Sequence, residues 1–179
     1  MARPAILWFL PTQSRDNPGK AEKWGLTAEK WAEEMATGTP ASWSHFDHGA
    51  DIGVRGAGPT LAVAFEQAAL ALTVVVTEAP VAAAEAVMIT STAPDAETLF
   101  VDWLNALVFE MATRRMLFGR YEVAIHRNGD WRLEGRAWGE KVDRKRHRPA
   151  VEVKGATFTE LSVRQDADGL WHAQCIVDV

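Results

Sequence analysis

From Ser44 onward the apolar positions of this chain change their period several times, and each change marks an element. Residues 44–56 alternate as a strand that runs out at Gly56-Ala57-Gly58. Thr60 is placed to cap a helix whose Leu61, Phe65, Ala68, Leu72 and Val76 share one face. A short strand follows around Glu85 to Thr92, and Asp95 then caps a second helix. There Leu99, Phe100, Trp103, Leu104, Leu107 and Met111 recur every three or four residues, a wide aromatic stripe that predicts burial. Within residues 117–138, Asn128-Gly129 separates two alternating runs and predicts a hairpin, because both residues tolerate positive φ. Leu161 to Arg164 turns at Asp166-Ala167-Asp168-Gly169 into Leu170 to Val179 as a second hairpin. This order predicts an α+β domain with two helices packed on one face of a largely antiparallel sheet.

The 179 residues are 47% hydrophobic and 24% charged, which is globular and large enough for one sizeable core. Composition shifts near Pro40, and the chain divides into an N-terminal extension, 1–42, and a main domain, 43–179. In the extension an amphipathic helix after Thr27 would carry Trp24, Trp31 and Met35 on neighbouring turns and pack against the domain. A formal charge of -5 argues against a protein that grips nucleic acid by neutralising phosphates, so any RNA connection is expected to be indirect. One cysteine, Cys175, excludes an internal disulfide and fits a reducing compartment. The apolar run from Pro4 to Pro11 is too short to span a bilayer, and a cytoplasmic protein is expected.

Two acids are conspicuous. Asp51 lies between small and apolar neighbours, and Asp178 is the last residue but one of a strand-like run. Acids are rarely buried without a partner, so a metal ion or a cationic side chain is expected to balance them. The alternative is a strand-end acid that accepts backbone amides or caps a neighbouring element. With the terminal carboxylate of Val179 they would supply several hard oxygens, which suit calcium or magnesium better than zinc. Lys154, in a strand-like run with Val151 and Val153, could pair Asp51 or Asp178 or meet a phosphate.

Other features carry less. Alternation sets His45, Asp47, Gly49 and Asp51 on one strand face, and His45 and His48 on opposite faces, which is no zinc arrangement. Asp166 to Gly169 starts like a calcium loop but lacks its distal acid, and Cys175 lies on an apolar strand face, where a thiol is a small hydrophobe. The basic run within 139–154 reads as a solvated loop or as a docking surface for an acidic partner or a nucleic-acid-bound enzyme.

Five stretches in order resemble the archease family: His48-Gly-Ala-Asp-Ile-Gly-Val54, the helix from Thr60 to Ala69, Gly139-Glu-Lys-Val-Asp143 with His147, Val153-Lys-Gly-Ala-Thr157, and Val177-Asp-Val179. The resemblance covers about residues 43–179 and implies a small cytoplasmic α+β protein that is no enzyme itself. It implies a protein cofactor of an RtcB-type tRNA-splicing RNA ligase, promoting guanylylation of the ligase and its multiple turnover. It further implies that Asp51, Asp178 and Val179 bind a divalent metal, calcium first and magnesium or manganese as alternatives, and that Lys154 belongs to the same tip. Gly49 stands where the family usually has Thr, and Phe158-Thr159 where it has a Tyr-His pair. A competing reading is a chaperone-like binding module for DNA- and RNA-processing proteins, using the basic loop and the Trp-rich arm. A stand-alone metal-dependent hydrolase is a weaker third, since no general base is recognisable.

Overall fold

The computed structural model describes residues 41–179, and the helix expected after Thr27 lies outside them. Eight strands and three helices follow one another: β1 (Ser42–His48), β2 (Asp51–Gly58), α1 (Leu61–Val76), β3 (Glu85–Ala93), α2 (Ala96–Arg114), β4 (Met116–Asn128), β5 (Asp130–Lys141), α3 (Arg144–His147), β6 (Gly155–Ala156), β7 (Ser162–Gln165) and β8 (Trp171–Asp178). They form two antiparallel sheets rather than one. The larger runs β1-β2-β8-β6, with β7 also on β8, and the smaller runs β3-β5-β4. Both long helices touch both sheets, so one apolar core serves all of them.

The helix ends follow the expected chemistry. Thr60 accepts the amide of Val63 and Asp95 that of Thr98, satisfying donors that the first helical turn leaves free. The predicted apolar faces are buried at Leu61, Phe65, Ala68, Leu72 and Val76 of α1 and at Leu99, Phe100, Trp103, Leu104 and Leu107 of α2, whereas Met111, expected on the same stripe, is only partly buried near the end of α2. The Thr73 hydroxyl donates to the Phe118 carbonyl at 2.8 Å and meets the Tyr121 hydroxyl at 2.7 Å, tying α1 to β4 without an unpaired buried group. Burial raises the Tyr121 phenol well above its ordinary range, so it stays a neutral donor.

The expected strand over 44–56 is instead a hairpin. β1 and β2 pair from Ser42↔Ala57 to His48↔Asp51, and the two-residue loop Gly49-Ala50 closes them with Gly49 at φ 63°. A two-residue loop with positive φ at its first position matches the twist of the flanking strands, and glycine takes that φ without strain. The reversal also overturns the face assignment, because Asp51 begins a new strand and does not continue the alternation of His45 and Asp47. At the other hairpin only Gly129 takes positive φ, and the strands run on to Asn128 and Asp130. The basic run is not all loop, since Arg144 to His147 form a helical turn that Asp143 caps through the amides of Lys145 and Arg146.

Gly56 sets how closely α1 lies on β2. A Cβ at this position would fall 2.1 Å from the Ala64 carbonyl oxygen and 2.3 Å from the Ala68 nitrogen, both backbone atoms of the helix. No rotamer change relieves such a clash, so the helix must move off the sheet. Gly56→Ala is therefore expected to destabilise the domain by about 1–3 kcal/mol in chemical denaturation, despite adding one methyl group. An unchanged denaturation midpoint would contradict this packing.

Candidate functional site

Three chain segments meet at one end of the larger sheet. β8 lies between β2 and β6, with Ile52 opposite Val177 and Gly155 opposite Asp178. Continued by one step, the first register sets Asp51 opposite Asp178. Cβ atoms of opposed residues are about 4.5–5.5 Å apart, and like charges so placed repel. Lys154 supplies the compensating charge: its backbone amide donates to the Asp178 carbonyl at 2.8 Å, and its ammonium donates to the Val179 oxygen at 2.9 Å. The same ammonium stands 3.6 Å from an Asp178 carboxylate oxygen. With the Lys154 and Asp178 side chains 64% and 50% exposed, this ion pair is a solvent-facing contact of small energetic worth.

The four residues predicted from sequence, Asp51, Lys154, Asp178 and Val179, thus come to one place. Lys154 meets Asp178 and Val179, as one of the two options for it required. Asp51 arrives by the hairpin and not along a single strand. A residue that the sequence reading missed holds the third segment in position. Asn105 of α2 donates its side-chain amide to the Ala156 carbonyl at 3.1 Å and accepts the Ala156 amide at 2.8 Å, clamping β6 two residues from Lys154. Its signal in the sequence was a lone amide between Leu104 and Ala106, next to the apolar stripe of α2.

The donors are all hard oxygens, a set that fits calcium, magnesium or manganese and not zinc. Among the described residues no three His, Cys, Asp or Glu side chains gather around a point. Two side-chain carboxylates and the oxygens of Val179 would leave most of the coordination sphere of a hard cation to water or to a partner.

The remaining candidates have other occupations. Asp166 accepts the amides of Asp168 and Leu170 and meets the His172 ring at 2.9 Å, contacts that hold its carboxyl below the usual range and make this segment a turn. Burial pushes the Cys175 thiol up to about 12, as its apolar strand face implied. His45 Nε2 donates to the Ala71 carbonyl at 2.8 Å, fastening the first hairpin to α1. His147 is buried, accepts the Asp143 amide at Nδ1 (2.9 Å) and faces Glu140 with Nε2, so it shapes the basic turn from within. Gly49 takes φ 63°, a backbone conformation in which a β-branched residue is strained.

Comparison with known proteins places the chain in a family. A family profile described as "Archease protein family (MTH1598/TM1083)" matches residues 43–179. The chain belongs to the archease family. It is 37% identical over 139 residues to the protein archease of Pyrococcus furiosus, covering 76% of this chain and 98% of that one. To the protein archease of Methanosarcina barkeri it is 34% identical over 140 residues, covering 76% and 95%. The solution structure of Methanobacterium thermoautotrophicum protein 1598 superposes with a TM-score of 0.69 at 35% identity, covering 77% of this chain and 99% of that one. No helix among the described residues is long and apolar enough to cross a membrane.

Acid titration offers a check on the turn beside the site. Arg146, then the Ala82 amide and the His147 ring, hold the Glu140 carboxyl at about 2, against an ordinary 4.5. A depressed carboxylate contributes stability that is fully present above the unfolded value and disappears as pH falls through the folded one. Between pH 4.5 and 2 the archease domain should therefore lose stability through Glu140, and Glu140→Gln should flatten that part of the melting-temperature profile. Parallel acid limbs for the two proteins would show that these contacts do not stabilise the fold.

Proposed function

We propose that this archease is an activator of an RtcB-type tRNA-splicing RNA ligase, promoting guanylylation of the ligase and its multiple turnover. The observation that carries the reading is the meeting of Asp51, Asp178, Val179 and Lys154 at one exposed sheet end, in a chain that belongs to the archease family. The protein is the cofactor and not the catalyst, the nucleophile belongs to the ligase, and the setting is cytoplasmic.

Asp51, Asp178 and the Val179 oxygens would hold a divalent cation, calcium foremost. When bound it would supply charge neutralisation for phosphate oxygens at the ligase. The carboxylates keep their mutual spacing because each sits on a paired strand, so the ligand set is organised before the partner arrives. Lys154 balances the acids in the free protein, and its ammonium has a flexible four-carbon stem that can turn from Val179 to a phosphate oxygen. The open coordination sphere supports a shared site, completed by the ligase and nucleotide.

The test is a guanylylation assay with the RtcB-type ligase of the same source, labelled GTP and divalent metal. Wild type should stimulate label incorporation, and Asp178→Ala and Lys154→Ala should lose most of the stimulation while melting within a few degrees of wild type, because both side chains are exposed. Absence of stimulation by wild type would end this reading. Stimulation retained by a folded Asp178→Ala protein would remove the acids from the mechanism.

A further inference from the structure

The fold gathers the chain's cations in a way that its net charge conceals. Arg114 and Arg115 end α2, and the Arg115 carbonyl accepts the Val142 amide at 2.9 Å while the Lys141 ammonium donates to the Arg114 carbonyl at 3.0 Å. These bonds join the end of α2 to the segment that carries Lys141, Arg144, Lys145, Arg146 and Arg148. Stretches 110–115 and 140–148 together hold seven Lys and Arg against three acids, in a chain whose formal charge is -5. All seven basic residues are exposed. Glu110 pairs with Arg114, and Glu140 with Arg146. Asp143 is spent on capping α3. Arg115, Arg144, Lys145 and Arg148 have no side-chain partner among the described residues.

We propose that this basic rim binds the phosphodiester backbone of single-stranded RNA directly. Five of the seven cations are arginines, whose planar forks match phosphate oxygens in pairs. Within stretches 110–115 and 140–148 no large apolar side chain is exposed, although Phe109 and Val151 are exposed just outside them, so the contacts of the rim's own side chains are made by charge. Phosphate contacts need no apolar anchor. A cavity of about 570 Å³ runs from Arg146 and Arg148 to His45 and Ile52, and Ile52 adjoins Asp51. Phosphate binding rests on this charge geometry alone, and the choice of RNA rests on the ligase-activator reading.

The experiment is equilibrium binding of a fluorescent single-stranded RNA oligonucleotide to the full chain, without ligase, over a series of salt concentrations. Wild type should bind at 50 mM salt and weaken steeply as salt rises, with each phosphate contact contributing about 0.7 to the log–log slope. Arg115→Ala/Arg144→Ala/Arg148→Ala should lose on the order of tenfold in affinity at low salt and about 2 in slope. It should melt like wild type, because the three side chains have no partner among the described residues. No binding by wild type at 50 mM salt, or equal binding by the triple variant, would overturn the proposal. Binding of poly-glutamate in preference to RNA would also overturn it, making the rim a seat for an acidic protein. Because the assay contains no ligase, such a failure leaves the guanylylation result untouched, and a failed guanylylation assay does not alter this one.

Discussion

The ladder between β2 and β8 is the contact on which the rest of this archease depends. It joins the first hairpin of the domain to its last strand, residues more than a hundred positions apart, and it fixes them to a register in which Ile52 faces Val177. A slip of one residue would turn Ala173, Cys175 and Val177, all fully buried, out of the core, so the hydrophobic pattern enforces the register strongly. The same register brings Asp51 opposite Asp178. That placement of two acids is a consequence of core packing, and the Lys154 ammonium stands 3.6 Å from an Asp178 carboxylate oxygen.

Helix packing defends that arrangement from both sides. Through Gly56, α1 lies against β2 at a separation that admits no side chain. Asn105 ties β6 to α2 by two hydrogen bonds while β6 pairs with the opposite edge of β8, and the backbone of Lys154 extends that edge to Asp178. The Lys154 and Asp178 side chains remain exposed while the backbone of each is held by the sheet. Under the proposed function, that division would let the tip meet a partner without loosening the fold.

Much of this was legible in the residues. Period and capping located both long helices and their buried faces, because Thr60 and Asp95 stand immediately before clear 3.6-residue patterns. The first strand was misread as continuous since Gly49-Ala50 lacks the Asn-Gly signature of Asn128-Gly129, and a two-residue loop barely interrupts alternation. Division into two sheets was beyond local pattern, because pairing partners such as β2 and β8 are set by long-range packing. The four tip residues were found through isolated acids and ordered motifs, whereas Asn105 acts only through a strand that the fold delivers to it. Net charge likewise carries no information on where charges gather, since the end of α2 meets the segment of Lys141 and Val142 only through hydrogen bonds that the fold makes.

The central claim, that the end of the β2–β8 ladder is where this protein takes a divalent cation, is tested most directly by titrating Mn²⁺ into isotopically labelled protein. Paramagnetic broadening of amide resonances reports distance from the bound ion. Signals of Asp51, Gly155 and Asp178 should broaden first and together, with the turn at Asp166 to Gly169 affected later or not at all. Broadening that begins at the Asp166 turn, or that spreads evenly over exposed carboxylates, would contradict the assignment of the cation to this sheet end.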